Sequence, residues 1–463
     1  MADQTDNVER PEDETEDDYA LRNQVVTSAV EAAEADDRVR LIEVLEPLHP
    51  ADIADLLEQV DADDRVRILL LASDYIDGEI LSEIDEDIRD EVVETLEPEV
   101  LAEAVRELES DDVVDILEDL DESQHEAVLD ALDVVDRIAV EQALSYPEFS
   151  AGRLMQREVV IAPEHWSVGD AIDHLRAHTD LPEQFYHIVL VDPRHRPTGY
   201  VTLGRLMSSR RDILLNTIVE ESFRTFDVEE DEGDVAYAFN QYHLITAPVV
   251  DEDGRLAGVI TIDDAMAVLD EEHEEDVLRL GGVGDESLSN SSLEIVKRRF
   301  PWLGINLATA ILASLVISIF EDVLEAVVAL AVLMPIVASM GGNAGTQSMT
   351  VAVRALATRD LTGSNAFRVV RREAVAGLLN GVIFAVVMGI VGLIWFGSPM
   401  IGVVIAVAMI INLLVAGLSG VLVPLALDKA GVDPALASGT FVTTVTDVVG
   451  FFAFLGLASM VLL

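Results

Sequence analysis

Five apolar runs in the last third of the chain set the limits on its fold. They lie at 302–320, 323–340 (continuing past a glycine cluster), 374–396, 400–427 and 435–463. Crossing ~30 Å of hydrocarbon takes roughly 20 apolar residues, so each run is long enough to span a bilayer as a helix. The bases set their orientation. Lys297, Arg298 and Arg299 precede the first run. Arg354, Arg359, Arg368, Arg371 and Arg372 lie between the second and third, and Lys429 lies between the fourth and fifth. The loops around Glu321-Asp322 and Gly397-Ser398-Pro399 carry no base. Positive-inside placement therefore puts the N-terminal part in the cytoplasm and the C-terminus outside, in a cell membrane crossed several times.

Charge is distributed against these runs. The chain has 87 acidic and 29 basic residues and a net charge of −58, although its mean hydropathy is positive at +0.31. From Pro301 onward there are eight acids and six bases, so the first 300 residues carry a net −56. A soluble acidic part is joined to a nearly neutral membrane part. Such a surface repels a polyanion, which excludes nucleic acid as a partner. The absence of cysteine removes disulfides, thiolate metal sites and cysteine nucleophiles. Two lysines stand against 27 arginines on this acid-saturated background. That is the look of adaptation to very high salt, where the Debye length shrinks to ~3 Å. Residues 1–26 read as an acidic, disordered tail with no signal peptide.

Three places break the apolar pattern of the spans. Pro335 is followed by Gly341-Gly342-Asn343-Ala344-Gly345-Thr346-Gln347-Ser348. Small residues allow close helix contact, and glycine with asparagine also allows an unwound turn whose carbonyls face a cavity. Asn343 is thus either interhelical glue or part of a pore lining. Asp447 follows Thr443-Thr444-Val445-Thr446 in the middle of the last run. An ionisable group at that depth costs at least ~2.5–3.5 kcal/mol and needs a purpose. No base lies near it in sequence, so a lone Asp among hydroxyls reads as a cation site. Asn412 and Pro424 in the fourth run fit a backbone hydrogen bond and a kink.

The soluble part divides in two. Between 27 and 148, apolar residues recur at i, i+3 and i+4, as in Ile53, Leu56 and Leu57 or Val113, Ile116 and Leu117. Proline pairs at Glu46-Pro47, His49-Pro50 and Glu97-Pro98 punctuate them. The reading is a stack of short helices forming a superhelical, solenoid-like domain. From 149 to 269 the pattern turns α/β. Val189-Leu190-Val191-Asp192 then Gly199-Tyr200-Val201-Thr202 recurs 59 residues later as Pro248-Val249-Val250-Asp251 then Gly258-Val259-Ile260-Thr261. Each copy reads as strand, turn, strand, helix, with the Asp opening the turn and the glycine allowing a tight approach. The repeat resembles a tandem pair of CBS domains. That likeness implies an adenine nucleotide, ATP among the candidates, held by a Thr and a downstream Asp. The second copy keeps Thr261 and Asp264, but the first has Arg205 beside Thr202 where the acid would stand. Residues 270–299 follow, with the acid-rich run Asp270 to Asp276 in a helical pattern that ends at Gly281-Gly282. This run is either a solvated face or a gate.

Taken together, His49-Pro50-Ala51-Asp52, the CBS-like pair, Gly341-Gly342-Asn343-Ala344-Gly345-Thr346-Gln347, Arg354-Ala355-Leu356-Ala357 and Gly431-Val432-Asp433-Pro434 ahead of Asp447 resemble MgtE-type magnesium channels. The resemblance covers residues 30–463. It implies a multidomain membrane protein: a helical N domain, a CBS pair, a connecting plug helix and five transmembrane helices at 300–463. It also implies a homodimer with a pore on its two-fold axis, closed by cytosolic Mg²⁺ bound among acids. By motif position Asp447, Asn343 and the Thr443 carbonyl fall in the pore. Asp433, Glu275, Asp276 and Asp251 fall among the gating acids. A few retained waters and one or two carboxylates suit Mg²⁺, which sheds water reluctantly. The rival readings are a secondary transporter of another divalent or organic ion controlled by nucleotide, and a nucleotide-sensing regulator that conducts nothing. No nucleophile–base pair or phosphate loop suggests an enzyme.

Overall fold

The computed structural model describes residues 21–463 apart from 119, 121, 179–180, 183–184, 221–222 and 284–291. Residues 1–20, most of the expected tail, lie outside the described residues. The chain divides into two compact units, 1–271 and 272–463.

The first unit opens on short helices. The earliest is Asn23–Glu34, which begins inside the segment read as tail because Val25 and Val26 pack on the helical core. Acidic side chains start many of the helices. Asp37, Asp61, Asp77 and Asp133 accept backbone N–H groups of the first turn that follows each, satisfying donors that have no intrahelical partner. His49 and Asp52 form a capping box, and Pro50 and Pro98 occupy first-turn positions, as their spacing predicts. Part of the acidity is thus spent on helix starts.

Two buried arginines tie successive helix pairs together. Arg65 donates to the carbonyls of Leu57 at 2.8 Å and Val60 at 3.2 Å and pairs with Glu91. Twenty-four residues later, Arg89 donates twice to the Ile84 carbonyl, at 3.2 and 3.0 Å, and pairs with Asp115 at 2.6 Å. The same staple thus recurs along the stacked helices. Leu41, Leu45, Leu56, Leu57, Ile68, Leu69 and Leu81 fill the core between them.

Among its described residues the α/β part contains two three-stranded sheets of the same topology. Strands β1 (Ile161–Pro163), β2 (His187–Val191) and β3 (Pro197–Thr202) lie in that order, with β1 and β2 parallel and β2 and β3 antiparallel. Strands β4 (Phe226–Asp227), β5 (Thr246–Val250) and β6 (Leu256–Thr261) repeat the arrangement. The strand pairs and the bulge at the end of β2 and β5 recur at the 59-residue offset. A Cβ on Gly258 would lie 2.5 Å from the Gln156 carbonyl oxygen, which is the tight approach that requires glycine there. A single helix, Ile262–Leu280, runs through the 269/270 boundary read from the sequence. It ends before Gly281, and Gly282 takes φ +72°.

Among its described residues the second unit contains five helices long and apolar enough to cross a membrane: Ser292–Ser318, Ala329–Ala357, Ala366–Phe396, Pro399–Lys429 and Pro434–Leu462. A short helix, Glu321–Ala326, separates the first two. The fourth is the most buried, and glycines let its neighbours approach it closely. Built Cβ atoms on Gly377 and Gly417 would lie 2.5 Å from the Leu413 carbonyl oxygen and 2.7 Å from that of Glu373. The second helix stays helical through the glycine cluster, which corrects the expectation of an unwound turn there. The reason is packing. A Cβ on Gly341 would strike Asn412 at 2.4 Å, and one on Gly345 would strike Val442 at 2.6 Å, so these glycines are occupied in admitting neighbouring helices.

Candidate functional site

Asp447 is carried by the fifth membrane helix, thirteen residues beyond its first residue Pro434, which at 1.5 Å per residue places it roughly 20 Å along the helix. It is half-buried and makes no hydrogen bond or ion pair among the described residues. The hydroxyls around it explain this. Thr443 donates to the Gly439 carbonyl at 2.8 Å, Thr444 to Thr440 at 2.6 Å and Thr446 to Thr443 at 2.9 Å. All three donors are turned back onto the helix, leaving hydroxyl oxygens and a bare carboxylate as acceptors. The Thr443 carbonyl, expected in the pore, is inside a continuous helix and accepts from Thr446.

Asn343 is exposed on the second helix. Its amide nitrogen donates to the Ser339 carbonyl at 2.8 Å and lies 3.3 Å from the Ser339 hydroxyl, so its Oδ1 has no donor among the described residues. The interhelical link offered for Asn343 is made instead by Asn412. That residue is fully buried on the fourth helix and donates to the Val337 carbonyl of the second at 2.7 Å. The second and fifth helices meet where Gly345 faces Val442 and Thr446. Asn343 and Asp447 therefore sit within a turn of one helix crossing, each with an oxygen that has no partner among the described residues, and they do not bond to each other.

At the start of the fifth helix Asp433 is the N-cap, its Oδ1 accepting from the Ala435 N–H at 2.7 Å. The end of the helix Ile262–Leu280 lies beside it. Arg279 pairs with Glu275 at 2.6 Å and with Asp433 at 3.5 Å. Burial pushes the Asp276 carboxyl up, Asp433 adds to the shift, and Arg279 and His273 oppose it. Three of the four expected gating acids, Glu275, Asp276 and Asp433, are thus brought together. Asp251 belongs to the first unit. Its Oδ1 accepts from the N–H groups of Asp253 and Arg255, at 2.9 and 2.8 Å, as Asp192 does in the first repeat. Its carboxylate is committed to closing the turn between β5 and β6.

Thr261 and Asp264 bond to each other, hydroxyl to carboxylate at 2.5 Å, at the start of the helix that follows β6. Asp264 also belongs to an acidic seam with the helical domain that sequence spacing did not disclose. Glu109, Asp111 and Asp112 stand at the start of the helix Ser110–Glu118 and feel the Asp264 charge. Burial first, then Glu158 and Asp264, push Glu109 up to about 7. Burial, Asp264 and Glu109 push Asp112 up to about 7. Burial and Asp264 hold the Asp111 carboxyl well above its usual range. Ser110 and Gln156 stitch the seam, the first donating to Glu158 at 2.8 Å and the second to Glu109. Among the described residues no three acids or histidines are arranged to hold a metal ion as they stand. The seam is a place of compressed negative charge rather than a formed chelate.

Comparison with known proteins agrees along the chain. The family described as "Divalent cation transporter" matches residues 334–457, the "MgtE intracellular N domain" matches 48–149, and the CBS domain matches 151–212 and 216–271. A magnesium transporter MgtE of Thermus thermophilus is 34% identical over 449 residues, covering 96% of this chain and 99% of that protein. One from Enterococcus faecalis is 34% identical over 321 residues, 69% of this chain and 71% of that protein. The solved cytosolic domain of the Mg²⁺ channel MgtE in complex with ATP is 32% identical, covers 53% of this chain and 100% of that one, and superposes with a TM-score of 0.48. With its helical N domain, its CBS pair and its five apolar helices, the chain belongs to the MgtE family of divalent cation transporters.

Proposed function

We propose that this protein is a magnesium channel or transporter that admits Mg²⁺ into the cell and is shut by cytosolic Mg²⁺. The observation that carries the proposal is Asp447, a carboxylate without a partner among the described residues, midway along a membrane helix and flanked by hydroxyls whose donors are already used. Such a group is stable at that depth when a cation visits it. Carboxylate, hydroxyl and amide oxygens are hard ligands that suit a hydrated Mg²⁺, binding it tightly enough to select it and loosely enough to release it.

A homodimer supplies two copies of Asp447 to one axis. Support for it comes from the CBS pair, where Tyr186 and Ile245, and likewise Met207 and Met266, are exposed apolar residues at the 59-residue offset. A pseudo-symmetric apolar face suits an isologous contact with a second copy. With five spans the N-terminal domains lie in the cytoplasm and the C-terminus outside. Gating follows from repulsion: Glu275, Asp276 and Asp433 in one place, and the seam at Glu109, Asp111, Asp112 and Asp264 in another, come together when a divalent cation neutralises them. An adenine nucleotide at the CBS pair is a further ligand of this reading. It is restricted to the second repeat, because Arg205 replaces the acid in the first.

The test is Mg²⁺ uptake into proteoliposomes by wild type and Asp447→Ala. Loss of uptake in the variant, with the protein still inserted and folded, is expected. Equal uptake by both would overturn the reading.

A further inference from the structure

The last turn of the helix Ile262–Leu280 is fastened to the fifth membrane helix by an arginine and a leucine of its own. Arg279 extends its guanidinium between two carboxylates, Nη2 lying 2.6 Å from Glu275 Oε2 and Nη1 3.5 Å from Asp433 Oδ2. Asp433 uses its other oxygen to cap the helix that carries Asp447. The neighbouring Leu280 packs on Met349, Val353, Ala435 and Val442, residues of the second and fifth helices. Arg279 and Glu275 are each 29% exposed and Asp433 is 35% exposed, so the pairs are only partly screened by solvent. A planar guanidinium reaches two carboxylates at once, which an ammonium does less well.

We propose that Arg279 is a built-in cation that holds this junction in the absence of a divalent ion, and so sets the Mg²⁺ concentration at which metal-driven closure begins. The proposal rests on the gating reading of Glu275, Asp276 and Asp433 given above. A divalent ion entering among these carboxylates must displace the guanidinium from Asp433 or bear its repulsion, and in either case binds more weakly for Arg279 being there. Removing the charge therefore has two effects of opposite sense. The junction loses its own bridge and opens more readily without Mg²⁺, while the freed carboxylates bind Mg²⁺ more tightly. A unit charge about 6 Å from a divalent ion, in a partly exposed site whose effective dielectric approaches that of water at about 80, changes such an affinity by about tenfold.

The experiment uses full-length protein in liposomes with Mg²⁺ fixed at a series of internal concentrations, comparing wild type, Arg279→Gln and Arg279→Lys. For Arg279→Gln, higher uptake at zero internal Mg²⁺ is expected, together with about a tenfold fall in the internal Mg²⁺ that halves uptake. Arg279→Lys keeps the charge but loses the double reach, so it should raise basal uptake while leaving the half-closing concentration near that of wild type. A half-closing concentration that is unchanged or raised in Arg279→Gln overturns the inference. If internal Mg²⁺ fails to close the wild type at all, the underlying gating reading fails instead. A fault of folding alone would lower uptake at every Mg²⁺ concentration without moving the midpoint, and that outcome also counts against the proposal.

Discussion

Raising the pH in the absence of divalent ions should loosen the helical domain from the second CBS repeat, and Glu109 shows by how much. Its carboxyl is pushed from an ordinary 4.5 up to about 7, chiefly by burial and then by Glu158 and Asp264. A carboxyl whose folded value is raised holds its proton in the folded state over an interval where the opened state has lost it. Its contribution is therefore fully present below pH 4.5, falls as the pH rises toward 7 and is gone above that. At 1.36 kcal/mol per pH unit the interval is worth roughly 3 kcal/mol, and partial solvent screening of this half-buried group reduces it to roughly 1–2 kcal/mol. That corresponds to roughly a tenfold change in the opening equilibrium. The assay is hydrogen exchange of the amides in Ser110–Glu118, corrected for the intrinsic pH dependence of exchange, on the full-length protein in EDTA between pH 4.5 and 8. Wild type should lose about tenfold protection across that range. Glu109→Gln, which cannot ionise, should show a shallower slope, and Mg²⁺ should restore protection at pH 8 in wild type. Parallel slopes for the two proteins would refute the claim that burial of Glu109 controls the seam.

Three further outcomes follow from the packing. Gly345→Val would place a side chain where even a Cβ meets Val442 Cγ1 at 2.6 Å, so the second and fifth helices must separate; Mg²⁺ uptake and thermal stability in detergent should both fall. Arg65→Ala and Arg89→Ala remove the same staple from successive repeats and should each cost about 2–3 kcal/mol, measured by urea unfolding of the soluble part within the full chain. Asn412→Leu removes one hydrogen bond to Val337 together with an Oδ1 that has no partner among the described residues, so stability should change by less than about 1 kcal/mol and uptake should persist. A large loss of uptake in a stable Asn412→Leu protein would give that amide a role in conduction.

The parts of this fold that were legible in the sequence are those dictated by near neighbours. Apolar runs of bilayer length became the five long helices. Asp192 and Asp251 closed turns, and Pro50 and Pro98 opened helices, because these residues act on backbone groups within four positions. Strands β1 and β4, of three and two residues, left no trace, since a strand that short has no alternation to read and exists only through its pairing with β2 or β5. The glycine cluster was ambiguous for a related reason. The same residues permit unwinding or close packing, and the choice was made by Asn412 and Val442, some 70 and 100 residues away. At the candidate site Asp447 stood out through its depth. The seam acids did not, because Ser110-Asp111-Asp112 looks like any helix start until Asp264 is placed against it.

The acid surplus has several physical roles, and they respond differently to salt. Asp37, Asp61, Asp77 and Asp133 cap helices through short backbone hydrogen bonds, which are geometric and little affected by ionic strength. Exposed pairs such as Arg38 with Asp74 and Arg137 with Asp130 lie in solvent and contribute little once the Debye length falls to ~3 Å at molar salt. Glu109, Asp111 and Asp112 are largely withdrawn from solvent and Asp433 with Arg279 partly so, and bulk ions screen them less than the exposed pairs. A sensor embedded in a surface of net −56 has to draw its signal from groups of that last kind, because a carboxylate in open solvent meets monovalent counter-ions at every Mg²⁺ concentration. Burial raises the cost of each unneutralised charge, and it is that cost, rather than the number of acids, that gives a divalent ion something to relieve by closing the protein.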